Sequence, residues 1–257
     1  MPSRSAAKSF RSGVAAAVLL LSSALPLRAA PFEVATIVDG ITLTLADGRA
    51  VRLAAILAPD PPLGWKGGTW RLAEAARTAL SNLALGHGVE LRGGEIDRYG
   101  RVVAQVYRED GLWLQGEMLR RGLARSSADG GVERTLVIDM LALEAAAREA
   151  GLGLWRDPFY RVRSPDEAGS SIETFQLVEG RIADAAKVKG QVFLNFGADW
   201  HAAFTIRLPR SSLAAFKELD FDPLALKGRL VRVRGWIRFD RRPMIDAARP
   251  ELIELLD

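Results

Sequence analysis

Two Asp-Gly pairs, Asp39-Gly40 and Asp47-Gly48, divide residues 32–56 into three short β-prone runs. Asp-Gly is favoured in tight hairpin turns because Gly takes positive φ without steric cost and Asp bonds the backbone two residues on. Phe32 to Val38, Ile41 to Leu45 and Ala50 to Ile56 are accordingly read as paired strands joined by tight turns. Ala58-Pro59-Asp60-Pro61-Pro62 ends the third, since Pro cannot donate to a strand ladder. A Gly-rich loop carrying Trp65 follows, from Leu63 to Thr69.

The periodicity then changes. Trp70 to Leu85 fits a helix, with Leu72, Ala76, Ala79, Leu80 and Leu83 along one face and Gly86 as its stop. Val89 to Arg92 and Val102 to Tyr107 read as strands around the loop Asp97-Arg98-Tyr99-Gly100-Arg101. Leu112 to Leu123 reads as a short helix and Leu136 to Ala150 as a longer one, closed by Gly151. Residues 163–172 are rich in Ser, Pro, Gly and acids and read as a linker. Beyond it, Phe175 to Ile182, Gln191 to Phe196, Ala203 to Leu208, Leu230 to Phe239 and Pro243 to Ile245 are strand candidates, with one short helix over Ser211 to Glu218. That inventory suits a small β-rich barrel of the OB type over residues 173–257.

The chain has 257 residues, 49% hydrophobic and 26% charged, which is ordinary globular composition. The absence of Cys excludes disulfides, thiolate zinc sites, a Cys nucleophile and a lipoprotein anchor. Two His, His87 and His201, are too few for a His-rich metal site. At the N-terminus, Arg4, Lys8 and Arg11 precede an apolar run from Gly13 to Leu25, and small residues follow. This reads as a signal peptide over residues 1–29, cut near Ala29-Ala30. The apolar run is short for an uncleaved anchor, so the expectation is a periplasmic or secreted protein with no membrane span after cleavage. Loss of residues 1–29 removes four basic residues and no acid, so the remaining Lys and Arg equal the 31 Asp and Glu. Global charge therefore offers no argument for nucleic-acid binding; only local clustering can.

Four stretches, taken in order, are informative together: Val38-Asp39-Gly40-Ile41-Thr42-Leu43, Val51 to Asp60, Asp97 to Arg101, and Met118-Leu119-Arg120-Arg121-Gly122-Leu123-Ala124. Through them residues 34–155 resemble a staphylococcal nuclease (thermonuclease) domain. The resemblance implies an α+β fold, a five-stranded OB-type barrel with about three helices over residues 30–162, ahead of the linker and the β-rich region. It also implies, in active members, Ca2+-dependent hydrolysis of DNA and RNA.

That reaction builds negative charge on phosphate oxygens while water attacks. A hard dication with carboxylate ligands polarises the phosphate, two guanidiniums clamp its oxygens, and a further carboxylate orients the water. The family pattern supplies two metal-binding Asp, two Arg and one Glu. Arg52 and Arg101 match the Arg pair, but Ile41 and Leu57 stand at the two Asp positions, and Asp60 replaces the Glu with a side chain shorter by one C–C bond, about 1.5 Å. Asp39 is left as a weak metal ligand. The expectation is therefore no cofactor, or Ca2+ if the family activity is retained, with Arg52, Asp60 and Arg101 as the catalytic set. Arg52, Arg101 and Tyr99 are the substrate-binding set, and single-stranded DNA or RNA the partner.

Three functional readings follow from this pattern. The first is an exported thermonuclease-like protein that engages phosphodiesters with impaired hydrolysis. The second is an active endonuclease with an altered metal site. The third is a non-catalytic periplasmic scaffold for protein partners. The residues alone leave blander roles open: Arg52 as a solvent-facing strand residue, Arg101 as the brace of a turn, Asp39, Asp97 and Asp60 as turn formers, Tyr99 as barrel packing rather than a base-stacking ring. In the C-terminal region, Arg229, Arg232, Arg234 and Arg238 alternate with Trp236 and Phe239, which fits either an oligonucleotide face or a solvated strand face with Val231, Val233 and the aromatics in the core.

Overall fold

The Asp47-Gly48 turn forms as its residue types dictate. Asp47 Oδ1 accepts from Arg49 N at 3.0 Å, Gly48 takes φ +88°, and Gly48 N donates to Leu45 O. It joins β2 (Thr42–Leu45) to β3 (Ala50–Leu53), and β1 (Phe32–Ile37) pairs with β2 on the other side. Gly40 has a different task. A Cβ there would lie 2.7 Å from Ala76 Cβ and 3.0 Å from Ala58 Cβ, so only Gly lets the 39–40 turn sit against the first helix. The computed structural model describes residues 31–61, 64–128, 131–197 and 203–257. The expected signal peptide and its cleavage point, and residues Pro62, Asp199, Trp200 and His201, lie outside the described residues.

After the short strand β4 (Ile56–Leu57) comes α1 (Arg71–Ala84), which buries Ala76, Ala79, Leu80, Leu83 and Ala84 at helical spacing. β5 (Gly88–Ile96) and β6 (Val102–Arg108) complete a closed barrel in the order β1-β2-β3-β6-β5, with Phe32 opposite Val89 and β3 parallel to β6. β5 is longer than its apolar pattern suggests: it runs through Gly93-Gly94, where the register shifts between Arg92 and Glu95. α2 (Leu114–Arg120), β7 (Arg125–Ser126) and α3 (Arg134–Glu149) follow. Leu57 pairs with Arg125 across the β4–β7 ribbon. Val34, Leu43, Val51, Leu53, Leu80, Val106 and Met118 belong to the first core.

Residues 163–172 do not run free. Ser164 and Glu167 form a reciprocal capping box at the head of a 3-10 helix over Pro165–Ser171, and Ala168 is fully buried in the second core. Ser-Pro-Asp-Glu is linker-like in composition but also matches a helix start, with Pro in the first turn. The β-rich region then divides between two sheets. One holds β9 (Asp184–Val188), β10 (Gln191–Asn195), β11 (Thr205–Leu208), β13 (Arg238–Phe239) and β14 (Pro243–Asp246). The other holds β8 (Phe175–Arg181), β12 (Leu230–Trp236) and β15 (Ile253–Leu255). α4 (Leu213–Glu218) is the short helix. Among the described residues no helix is long and apolar enough to cross a membrane.

Residues 31–257 form one compact unit with two cores, and buried charge joins them. Arg234 of β12 is 1% exposed, and its Nη1 donates to both Glu144 carboxylate oxygens, at 2.9 and 3.0 Å, and to Ser126 O. Its Nη2 donates to Glu254, which also accepts from Arg232. Arg232 in turn pairs with Glu179, and Arg229 with Asp257. Neither sequence reading of this strand holds for Arg234: it is not solvated and has no surface to offer nucleic acid, because α3 carries Glu144 to it. Val231 and Val233 are in the core as expected, but Trp236 and Phe239 are 50% and 66% exposed rather than buried with them.

Burial alone would push the Glu254 carboxyl up, but the guanidiniums of Arg234, Arg232 and Arg148 outweigh it and hold the group below the usual range. A carboxyl depressed by folding contributes stability that is complete above its ordinary value and is lost as pH falls through the folded one. The melting temperature of the wild type is therefore expected to drop between about pH 5 and 3. The Glu254→Gln variant, already less stable at neutral pH, should show a shallower acid slope in calorimetry.

Candidate functional site

Strand alternation places the first Arg of the pair. Val51 and Leu53 point into the core, so Arg52 points to the other face of the sheet, beside Thr42 of β2 and Val103 of β6. Arg101 directly precedes β6, in the loop that joins it to β5. The two guanidiniums differ in state. Arg52 is half-buried and its side chain makes no hydrogen bond or ion pair among the described residues. Arg101 is held by its own loop: its Nε donates to Asp97 Oδ2 at 2.8 Å, while Asp97 Oδ1 accepts from Tyr99 N and Arg101 N. Tyr99 does not pack into the barrel. Its ring is 67% exposed and lies 4.8 Å from the Arg98 guanidinium and 5.2 Å from that of Arg101.

A second cluster gathers the remaining predicted residues. Asp39 turns back on itself, its Oδ1 accepting from Ile41 N at 2.8 Å. Ile41 packs against the first core, and its carbonyl accepts from Leu53 N. Asp60 accepts through its backbone oxygen from the Tyr160 hydroxyl at 3.0 Å. Desolvation, then the nearby Asp39 carboxylate, push the Asp60 carboxyl above its ordinary value, and Arg125 opposes them. Leu57, Ala58 and Asp60 line a pocket of about 230 Å³ together with Arg125, Tyr160 and Trp236. No hydrogen bond or ion pair connects this cluster to Arg52 or Arg101 among the described residues. Arg125 and Tyr160 went unremarked in the sequence. The signal for Arg125 is its place directly after the Met118 to Ala124 stretch.

Residues 50–157 match the family model described as staphylococcal nuclease homologue. Over 128 residues the chain is 30% identical to an "Uncharacterized endonuclease" of Escherichia coli, a match spanning 49% of this chain and 76% of that relative. The chain belongs to the staphylococcal nuclease homologue family. A "Micrococcal nuclease" of Shigella flexneri is 31% identical over 156 residues, 56% of this chain and 84% of the relative. Residues 158–257 lie beyond the family match.

Members of the staphylococcal nuclease family are generally Ca2+-dependent, so the donor set can be tested against that ion. Ca2+ takes six to eight oxygen ligands, carboxylates foremost. Ile41 and Leu57 offer hydrocarbon where the family pattern has carboxylates, and Asp39 Oδ1 already accepts from a backbone N–H. Among the described residues no three His, Asp or Glu side chains gather as a cation site. This donor set does not fit a calcium ion.

Proposed function

We propose that this nuclease-family protein binds single-stranded DNA or RNA along the phosphodiester backbone through Arg52 and Arg101, and that it hydrolyses the strand poorly. The observation that carries this reading is the half-buried Arg52 guanidinium, without a partner among the described residues, in a chain that has Ile41 and Leu57 at the family's calcium-ligand positions. An unpaired guanidinium has its full fork of donors to give to phosphate oxygens. Tyr99, exposed beside Arg101, is suited to stack on an adjacent base. With residues 1–29 read as a cleavable signal, the protein acts outside the cytoplasm.

The test is binding and cleavage with the same purified chain. Oligonucleotide affinity should fall steeply with salt. Arg52→Ala should weaken it by about tenfold or more and reduce the slope of log affinity against log salt by about 0.7. Cleavage of single-stranded DNA and RNA should be no greater with Ca2+, Mg2+ or Mn2+ than with chelator. Robust metal-dependent cleavage, abolished by Arg52→Ala or Arg101→Ala, would instead establish the active endonuclease with an altered site. Undetectable affinity at low salt would leave the scaffold reading. One observation favours an active enzyme: Asp60 stands at the family's Glu position, and desolvation and the Asp39 carboxylate raise its carboxyl above the ordinary value, the direction a proton-exchanging group needs.

A further inference from the structure

We propose that the pocket between the β4–β7 ribbon and strands β8 and β12 receives a single nucleobase. Three features of its lining combine to select that ligand. Its walls are aromatic: Phe175 and Trp236 meet edge to face with centroids 6.1 Å apart, and Tyr160 adds a third ring. Trp236 is 50% exposed, so much of a large indole stands in water at a concave surface, where a flat ring can cover it.

The floor is cationic and only partly satisfied. Arg125 is 6% exposed, its guanidinium lying 4.8 Å from the Tyr160 ring centroid and 5.1 Å from that of Phe175. Its Nη1 donates to Phe175 O at 2.6 Å, but its buried Nε has no acceptor among the described residues. Burial depresses this guanidinium to about 10, the mark of a charge short of counter-charge and acceptors. The guanidinium lines the pocket with one hydrogen bond, to Phe175 O, so a ligand acceptor brought to its edge adds to what the protein supplies.

The remaining lining mixes apolar residues, Leu57, Ala58 and Pro61 among them, with two acidic ones. Asp60 and Glu173 contribute two carboxyls against one guanidinium. An anionic ligand would meet that acidic side, and a plain hydrocarbon ring would leave Arg125 unanswered. A nucleobase has what both sides need: ring or carbonyl acceptors for Arg125, N–H donors for the carboxyls, and two π faces for the aromatic walls. Guanine and cytosine carry donors and acceptors together. The volume of about 230 Å³ suits one base rather than a stacked pair. Tyr160, Phe175 and Trp236 all lie outside residues 50–157, so this pocket belongs to the join between the family domain and its C-terminal extension.

The inference deepens the proposed function and rests on it for the strand to which the base belongs, but the pocket can be tested without phosphate. Guanosine and cytidine are titrated against the full chain by saturation-transfer NMR, with 2-deoxyribose 5-phosphate as the ligand lacking a base. Base protons should receive saturation from the protein. Trp236→Ala, which removes a half-exposed ring, should weaken nucleoside binding by about tenfold or more, while Phe239→Ala, which removes an exposed ring outside the pocket, leaves it unchanged. Nucleosides that bind the wild type and Trp236→Ala equally would overturn the proposal, as would binding of the sugar phosphate that Trp236→Ala weakens to the same extent. Failure of nucleosides alongside Arg52-dependent oligonucleotide binding would overturn the pocket and leave the backbone reading standing. Failure of both ligands would remove both.

Discussion

Replacing Arg234 with Met should lower the melting temperature by roughly 6–20 °C. The guanidinium is 1% exposed and is shared between Glu144 of α3, itself fully buried, and Glu254 of β15. Removing one member of a buried ion pair strands the other charge in a medium that cannot solvate it, at about 3–5 kcal/mol. In a domain of this size each kcal/mol moves the midpoint by about 2–4 °C. Glu144 would keep the Ser126 N–H at 2.6 Å, a neutral donor, and Arg148 at 3.4 Å, too distant to replace two charged bonds near 2.9 Å. The decisive comparison is a cycle with Glu144→Leu. If the cost arises from the stranded carboxylate, the double variant should recover much of it, because hydrophobic replacement of a whole buried pair is often neutral. A single variant that melts within 2 °C or so of the wild type would show that the network contributes little to joining the two cores.

Restoring both carboxylates should produce the largest change in activity. Ile41→Asp with Leu57→Asp is expected to raise Ca2+-dependent cleavage of single-stranded DNA by about a thousandfold or more, because a metal's stabilisation of phosphoryl charge amounts to several kcal/mol of barrier. The gain should require Arg52 and Arg101 and vanish with chelator. It comes with a stability cost of about 1–3 kcal/mol for Ile41, which packs against the first core, so folding is checked by circular dichroism before rates are compared. A folded double variant with no gain would mean that Arg101, held by Asp97, or the shortened Asp60 has also left the productive geometry. A wild type that already turns over with Ca2+ would remove the premise.

The barrel was legible in the residues because its signals are local. Asp47-Gly48 specifies a turn through bonds spanning two or three residues, and Ala76, Ala79, Leu80 and Leu83 repeat at the helical period over little more than two turns. Strand alternation likewise sets the side of the sheet on which Arg52 stands. The substitutions at Ile41 and Leu57 are equally plain, since a missing carboxylate is a matter of composition at a position. Short strands escaped for the opposite reason. β4 and β7 are two residues each, and β15 is three, so none has room for a period to show.

Burial of charge could not be read that way. Arg232 and Arg234 have the same parity on β12 and look equivalent in the chain, yet one remains partly open with Glu179 while the other is sealed against Glu144, ninety residues earlier. Arg125 and Trp236 share a pocket although 111 positions separate them. Local bonding and periodicity act over a few residues and are written in the order of side chains. Desolvation depends on every group that comes to rest nearby, so whether an arginine is a solvated surface cation, a buried clamp or the floor of a pocket is decided only when the two cores pack together.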